Sequence, residues 1–448
     1  MHGTMDTLNH THDPAALSWV PGAQGHQDFP LQNLPVAVFR RQGEEEAFRG
    51  GMAIGDQIVD LAALSSARLL TGEAQHACEL AARPRLNALM AAGQPAWRAL
   101  RHGVFDLLSS HARETTQASV RACLVPQQQA TYGLPSRIGD YTDFYTSIHH
   151  ARNVGRVIRP DDPLTPNFVW LPIAYHGRAS SVVISGTPFK RPNGQAFPPG
   201  ARAPVFTPST RLDYELEMGF YIGPGNAQGN PVPLAQAEKQ IFGMCLLNDW
   251  SARDHQFWEM APLGPFLGKN FCTSVSPWVV MMEALAPFRA PVADRLAPEP
   301  QPLPYLEHPV HRAAGGVDVQ LTVSIDTEAT RASGAKPSQV SRTSFRHQYW
   351  TVAQMVTQHT VGGCNLQSGD LIGTGTISGP TPGEEGAIVE LSRGGTAPIT
   401  LSATGEQRSF LHDGDTVILR GWCERQGAAR IGFGTCEGRV LPASGPTA

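Results

Sequence analysis

The chain has 448 residues, too many for one ordinary core, so one large domain plus a smaller one is the starting expectation. A net charge of −4 offers no global attraction to nucleic acid or anionic lipid, and 41% hydrophobic against 17% charged residues excludes a disordered chain. Gly 45 and Pro 37, spread without a period, exclude collagen and point to many turns between short strands.

Residues 1–17, MHGTMDTLNHTHDPAAL, contain no apolar stretch and so are not a secretory signal. They read as a flexible polar tail whose His2, His10 and His12 could bind metal but are more simply solvated. A small N-terminal domain is expected over 18–135. In it, strands at 36–39 and 52–61 flank a polar turn at 41–46, and Trp97, Leu100, Val104, Leu107 and Leu108 repeat at helical spacing behind Pro95. The stretch 125–139 has no periodicity and links this unit to the larger remainder, 136–448. Strands dominate there, at 181–184, 214–222, 244–248, 317–325, 388–391 and 416–420, between Pro/Gly loops such as 191–203 and 286–316. Helical candidates are few: 143–150, 251–260 and 350–359. The fold class is therefore mainly β (α+β), with no internal repeat. The most apolar stretch, 278–282, is too short to span a bilayer. The seven cysteines are widely spaced and form no C-x-x-C, which suits reduced thiols in a cytoplasmic protein better than a disulfide framework or zinc finger.

Several chemistries are unsupported. No serine sits in G-x-S-x-G, and H-E-x-x-H and the phosphate-binding G-x-x-x-x-G-K-[ST] are absent. The runs GTGTISG (from Gly373) and GFGTCEG (from Gly432) have the wrong spacing for dinucleotide binding, open no clear helix, and read as turn glycines.

What survives is an acidic constellation. RLDYELEMGFYI, from Arg211, alternates strictly, so Tyr214, Leu216, Met218 and Phe220 face one way and Asp213, Glu215 and Glu217 the other. Adjacent carboxylates on one strand face repel, and a hard divalent cation would relieve the repulsion; the alternative is a solvated acidic face. A second acid, Asp249, ends the apolar strand in FGMCLLNDWSARDHQFWE, where Ser251 and Asp254 suit a capping box for a short helix. On that helix Arg253 and Gln256 share a face, so two donors stand beside the acid, ready for an oxyanion. The alternative is a surface Arg on a capped helix. In the third piece, GDYTDFYTSIHHARNVGR from Gly139, a helix would put Asp143 and His150 seven apart on one face, with His149 turned away. A carboxylate and an imidazole would then flank a space the size of a small substrate.

These segments resemble the fumarylacetoacetate hydrolase family. The resemblance is carried by DFPLQNLPVAVF at Asp28, GDYTDFYTS at Gly139, YHGRASS at Tyr175, LDYELEMGF at Leu212, IFGMCLLNDWSARD at Ile241, PLGPFLGKNF at Pro262 and GCNLQSGDLIGTGTISG at Gly363, and it covers nearly all of 28–442. It implies an SH3-like β-barrel N-terminal domain, a β-roll catalytic domain and a homodimer. The metal carboxylates then fall on Asp143, Glu215, Glu217 and Asp249, with Lys269 and Thr273 beside the metal; Mg²⁺ and Ca²⁺ are the implied ions. The general base falls on His150, its orienting carboxylate on Glu390, and oxyanion donors on Arg253, Gln256 and Lys269. Substrate-holding positions fall on Tyr145, Arg159, Tyr175, Gln256 and Thr376, and on Met260, where the family has a tyrosine.

The implied reaction is hydrolysis of the carbon–carbon bond of a small diketo acid, 4-fumarylacetoacetate, to fumarate and acetoacetate, the last step of tyrosine and phenylalanine catabolism. A His–Glu pair activates water, and the cation stabilises the enolate that leaves. Rival readings are an acylpyruvate hydrolase, a dioate isomerase or decarboxylase on the same scaffold, and a non-catalytic metal-binding β-protein. The additional N-terminal domain and the His150–Glu390 pair favour the first reading over its rivals.

Overall fold

The computed structural model describes residues 7–295 and 297–445. The N-terminal part is built on a five-stranded antiparallel sheet in the order Leu124–Pro126, Gln57–Asp60, Arg49–Ile54, Val36–Arg41, Ala130–Gly133. The expected single strand at 52–61 is a hairpin with a helix after it. Gly55 turns the chain at φ 55, where an added Cβ would lie 2.9 Å from the Ala23 nitrogen, and Asp60 accepts from the Ala62 and Ala63 N–H groups to start Leu61–Ser66. Five helices lie between the third and fourth strands in sequence; the sequence pattern exposes only the longest, Gln94–Leu108, because the others are short and weakly patterned. Their apolar faces pack with Tyr221, Phe242, Leu247, Val279 and Leu371, which fixes the N-terminal part against the larger unit.

The tail is tied down within its described residues. Asn9–His12 form a turn in which His12 Nε2 lies 2.8 Å from the Glu283 carbonyl, and fully buried Arg101 donates to Thr11 Oγ1. A loose tail fails from residue 9 onward because a buried guanidinium needs these acceptors. His2 lies outside the described residues.

The larger unit packs two sheets face to face. An eight-stranded mixed sheet runs Ile173–His176, Tyr141–Tyr145, Leu371–Gly373, Leu216–Ile222, Ile241–Asp249, Thr273–Val275, Val182–Ile184, with Val280–Met281 also on Ile241–Asp249. A five-stranded sheet holds Gln320–Asp326, Thr416–Cys423 and Ile431–Leu441. Leu216, Met218, Phe220, Met244 and Leu246 from the first sheet meet Leu321, Val323, Val417, Leu419 and Phe433 from the second in one fully buried core. The expected alternation along Leu216–Ile222 is thus present: even positions enter the core and Glu217 faces the other way.

Three local expectations differ. Residues 141–145 are a strand, hydrogen-bonded in parallel to Leu371–Gly373 and antiparallel to Ile173–His176, and the helix begins only at Ile148, with Ser147 as its cap. Residues 388–391 form one helical turn, not a strand. The Ser251 capping box does not form: Ser251–Ala252 pair with Leu212–Asp213, the helix runs Arg253–Glu259, and Asp254 instead accepts from Ser209 Oγ and the Thr210 N–H.

Candidate active site

Sheet register assembles the acids. Asp143 lies opposite Gly373 on one side and Tyr175 on the other; Gly373 lies opposite Gly219, two residues from Glu217; and Asp249 lies opposite Thr273. With side-chain direction alternating, these residues share one face. Glu215, at the break between Leu212–Asp213 and Leu216–Ile222, joins them. One carboxylate oxygen from each of Asp143, Glu215, Glu217 and Asp249 lies within 4.8 Å of the others, and all four residues are buried. This rules out a solvated acidic face. Gly373 and Gly375 are not merely turn glycines but part of the site: a Cβ on Gly373 would lie 2.5 Å from Asp143 Oδ1, and the Gly375 N–H donates to Glu217 Oε2 at 3.0 Å.

Such crowding needs positive charge. Lys269 Nζ ion-pairs with Glu215 and with Asp249 Oδ2 at 2.6 Å, and Arg253 Nη1 reaches Glu215 Oε1 at 2.8 Å. Burial pushes the Glu215 carboxyl up, but the Lys269 and Arg253 charges outweigh it and hold that carboxyl at about 2. Among the described residues no cation ion-pairs directly with Asp143 or Glu217, and the Lys269 charge acts on them only from a distance. Burial, and then the neighbouring carboxylates, push both well above the usual range. Asp143 Oδ1 and Glu217 Oε1 are buried with no hydrogen-bond partner among the described residues. Four carboxylates, with orphaned oxygens and one lysine among them, are the donor set a hard divalent cation takes. Lys269 and Thr273 touch the carboxylates themselves: an ammonium has no lone pair to ligate with, and Thr273 Oγ1 donates to Asp249 Oδ1 at 2.9 Å.

Beside this cluster stands a buried imidazole. His150 Nδ1 lies 2.6 Å from Glu390 Oε1, while Nε2 faces Glu215 Oε1 at 4.0 Å. Since a carboxylate accepts, Nδ1 carries the proton and the lone pair of Nε2 points at the cluster. Glu390 is itself held by Ser378 Oγ, 2.9 Å from each oxygen, and by Asn153 Nδ2 at 2.9 Å. His149 turns away, with its ring 5.9 Å from that of His347. Arg253 Nη1 donates to Gln256 Oε1 at 3.2 Å, and its Nη2 is buried with no partner among the described residues, a donor left for a ligand.

Asp143, Glu215, Glu217, His150, Arg253 and Lys269 line a cavity of about 730 Å³, within the usual range for small-molecule sites, while Glu390 and Asp249 stand behind its wall. Tyr145, Arg159, Tyr175, Gln256, Met260 and Thr376 line it too. Tyr145 packs edge-on to His150, and Arg159 is exposed at the end of the Ile148–Ile158 helix. The Tyr175 hydroxyl donates to Asp249 Oδ2 at 2.6 Å, so it is tied to the acids as well as to the cavity. Sequence reading missed Ser378, Asn153 and Gly375. The run GTGTISG was the available signal for Ser378 and Gly375, and its departure from nucleotide-binding spacing hid its use.

Comparison with known proteins places the chain in a family. A family model described as Fumarylacetoacetase N-terminal matches residues 32–135, and one described as Fumarylacetoacetate (FAA) hydrolase C-terminal matches residues 141–441. The chain belongs to the fumarylacetoacetate hydrolase family. It is 47% identical over 436 residues to the human protein named fumarylacetoacetase, covering 96% of this chain and 100% of the relative. It is 48% identical over 426 residues to the Caenorhabditis elegans fumarylacetoacetase, covering 93% and 97%. The solved fumarylacetoacetate hydrolase of psychrophilic Exiguobacterium antarcticum shares the fold at TM-score 0.50 and 14% identity, over 91% of this chain and 99% of that one.

Proposed function

We propose that the protein hydrolyses 4-fumarylacetoacetate to fumarate and acetoacetate, as a hydrolase of carbon–carbon bonds in ketonic substances. The observation that carries this reading is the buried His150–Glu390 pair, whose free ring nitrogen faces a four-carboxylate cluster at the wall of a substrate-sized cavity.

In this reading Glu390 fixes the imidazole so that Nε2 takes a proton from water, and it partners the positive charge that develops on the ring. The hydroxide oxygen adds to the carbonyl carbon. Arg253 Nη2, Gln256 and Lys269 lie on the cavity wall as donors to the oxyanion. Collapse breaks the carbon–carbon bond, and the proton held at Nε2 goes to the departing carbon. Asp143, Glu215, Glu217 and Asp249 would hold a divalent cation, Mg²⁺ or Ca²⁺, which would supply Lewis-acid stabilisation of the negative charge that develops on the substrate. Arg159 offers a fork that matches a substrate carboxylate, and Tyr145, Tyr175, Met260 and Thr376 complete the substrate wall.

The same reading divides the chain into an SH3-like barrel domain over 18–135 and a catalytic domain over 136–448. It places a homodimer in the cytoplasm, in tyrosine and phenylalanine catabolism. Among the described residues no helix is long and apolar enough to cross a membrane.

The test follows loss of diketone absorbance with fumarylacetoacetate and with acylpyruvates, with and without EDTA and Mg²⁺. Turnover of fumarylacetoacetate that is abolished by EDTA and restored by Mg²⁺ is expected. Preference for an acylpyruvate, or full activity after metal stripping, would overturn the reading.

A further inference from the structure

Asp213 belongs to the same alternating run as Glu215 and Glu217 but is not in their cluster. It is fully buried, and its carboxylate accepts four hydrogen bonds, each from a nitrogen. Oδ1 accepts from the Tyr214 N–H at 2.8 Å and the Ile388 N–H at 2.8 Å; Oδ2 accepts from the Val389 N–H at 3.1 Å and Arg253 Nε at 2.9 Å. A carboxylate has about four lone-pair directions, and all are taken, so none remains for a cation.

The partners belong to two different arms of the site. Ile388 and Val389 open the one-turn helix that carries Glu390, and their N–H groups have no partner within the helix. Asp213 caps that turn from a distant point in the chain. Arg253 is the other arm. With Nε held by Asp213, Nη1 is directed at Glu215 and Gln256, and Nη2 is left without a partner. Leu212–Asp213 also pairs with Ser251–Ala252, so the residue just before Arg253 lies opposite Leu212.

We propose that Asp213 is a positioning residue that sets the base-orienting turn and the oxyanion-donating guanidinium against one another, so that His150 and Arg253 meet the same carbonyl in register. It touches neither substrate nor cation and acts through Glu390 and Arg253. The proposal deepens the hydrolase reading and rests on it. A side chain that ties two catalytic groups together should appear in the turnover rate and not in substrate binding. Its loss should also overlap with the loss of either group, because residues acting as a unit are not additive.

The experiment compares the parent with Asp213→Asn, Glu390→Gln, Arg253→Lys and the two doubles containing Asp213→Asn. Hydrolysis is measured at saturating Mg²⁺, with Mg²⁺ affinity determined by calorimetry. Asparagine keeps the shape, but its amide faces donors. We expect kcat to fall roughly 10–100-fold, the range for partners that orient catalytic groups, with KM and Mg²⁺ affinity within about threefold of the parent. Each double should lose at least about tenfold less than the product of its singles. Multiplying losses in either cycle, a loss confined to KM, or Mg²⁺ affinity falling in step with activity would each overturn the proposal. If Asp213→Asn does not fold, Asp213→Ser replaces it under the same criteria, since serine keeps one acceptor at the turn. If neither folds, Asp213 serves folding and the proposal fails. If the parent prefers an acylpyruvate, the cycles run on that substrate, so failure of the substrate assignment and failure of this inference are read separately.

Discussion

Glu390→Gln probes the base most directly. The pair is 2.6 Å apart, with Glu390 fully buried and His150 3% exposed, so no water can stand in for a lost partner. Glutamine has the same shape but one acceptor oxygen, and three donors now share the two oxygens of Glu390: His150 Nδ1–H on one, Asn153 Nδ2 on the other and Ser378 Oγ within reach of both, so His150 and Asn153 must compete for the one that remains. If the oxygen stays with His150, the tautomer survives and only the charge is lost. A hydrogen bond to a charged group is worth about 1.5–3 kcal/mol, which at about 1.4 kcal/mol per decade is roughly 10–150-fold in rate. If Asn153 takes the oxygen, the amide NH₂ faces Nδ1 and forces the proton onto Nε2. That removes the base, a defect of roughly 10⁴-fold where such a tautomer error has been measured in another hydrolase. Steady-state kinetics should show kcat down at least about tenfold with KM little changed and the melting temperature close to the parent's. Adding Asn153→Ala to Glu390→Gln removes the competitor that draws the oxygen away from His150, leaving Ser378 able to serve either position, and should recover part of the loss. A fall of less than about threefold would refute the assignment of Glu390 as the orienting group.

Other predictions follow from the same geometry. His150→Ala should cost roughly 100-fold or more in kcat and His149→Ala less than about threefold, because only His150 reaches both Glu390 and the acids; the reverse order in steady-state kinetics would contradict this. Glu217→Gln should weaken Mg²⁺ binding. In the parent, calorimetry in buffers of different ionisation heat should show proton release on binding and affinity rising with pH, since burial and neighbouring carboxylates push Asp143 and Glu217 up without the ion and a bound cation would reverse that push. Met260→Tyr restores a hydroxyl on the cavity wall and should lower KM by roughly tenfold or more without raising kcat; an unchanged KM means that another group already makes the contact. Burial pushes the His311 imidazole down to about 4 from 6.5, so the unfolded chain binds the extra proton between those values. Its share of stability is complete above pH 6.5 and falls by roughly 3 kcal/mol as pH drops towards 4. Urea unfolding of His311→Gln should lose that acid-side slope, and an unchanged slope would disprove the assignment.

Residue type and spacing alone determined much of this protein. The alternation in LDYELEMGF put Leu216, Met218 and Phe220 in the core and Glu217 on the opposite face, because side-chain direction in a strand depends only on parity. The three-residue offset brought Arg253 and Gln256 together, because it recurs on one helical face whatever surrounds it. What escaped was set by partners far away in sequence. Residues 141–145 have the composition of a strand, yet the seven-residue spacing of Asp143 and His150 predicts a helix over 143–150. Pairing with Leu371–Gly373 and Ile173–His176 made the strand, and Ser147 started the helix that brings His150 to the acids. IVEL at 388–391 looks like a strand, but Asp213 satisfies its first N–H groups and turns it into a helical cap that aims Glu390. The glycines of GTGTISG look like turn residues until the sheet places Asp143 and Glu217 against them. Parity and helical period act between neighbours and can be read along the chain. Which carboxylate is neutralised by lysine, which caps a turn and which is left for a cation depends on contacts that exist only once the two sheets have closed.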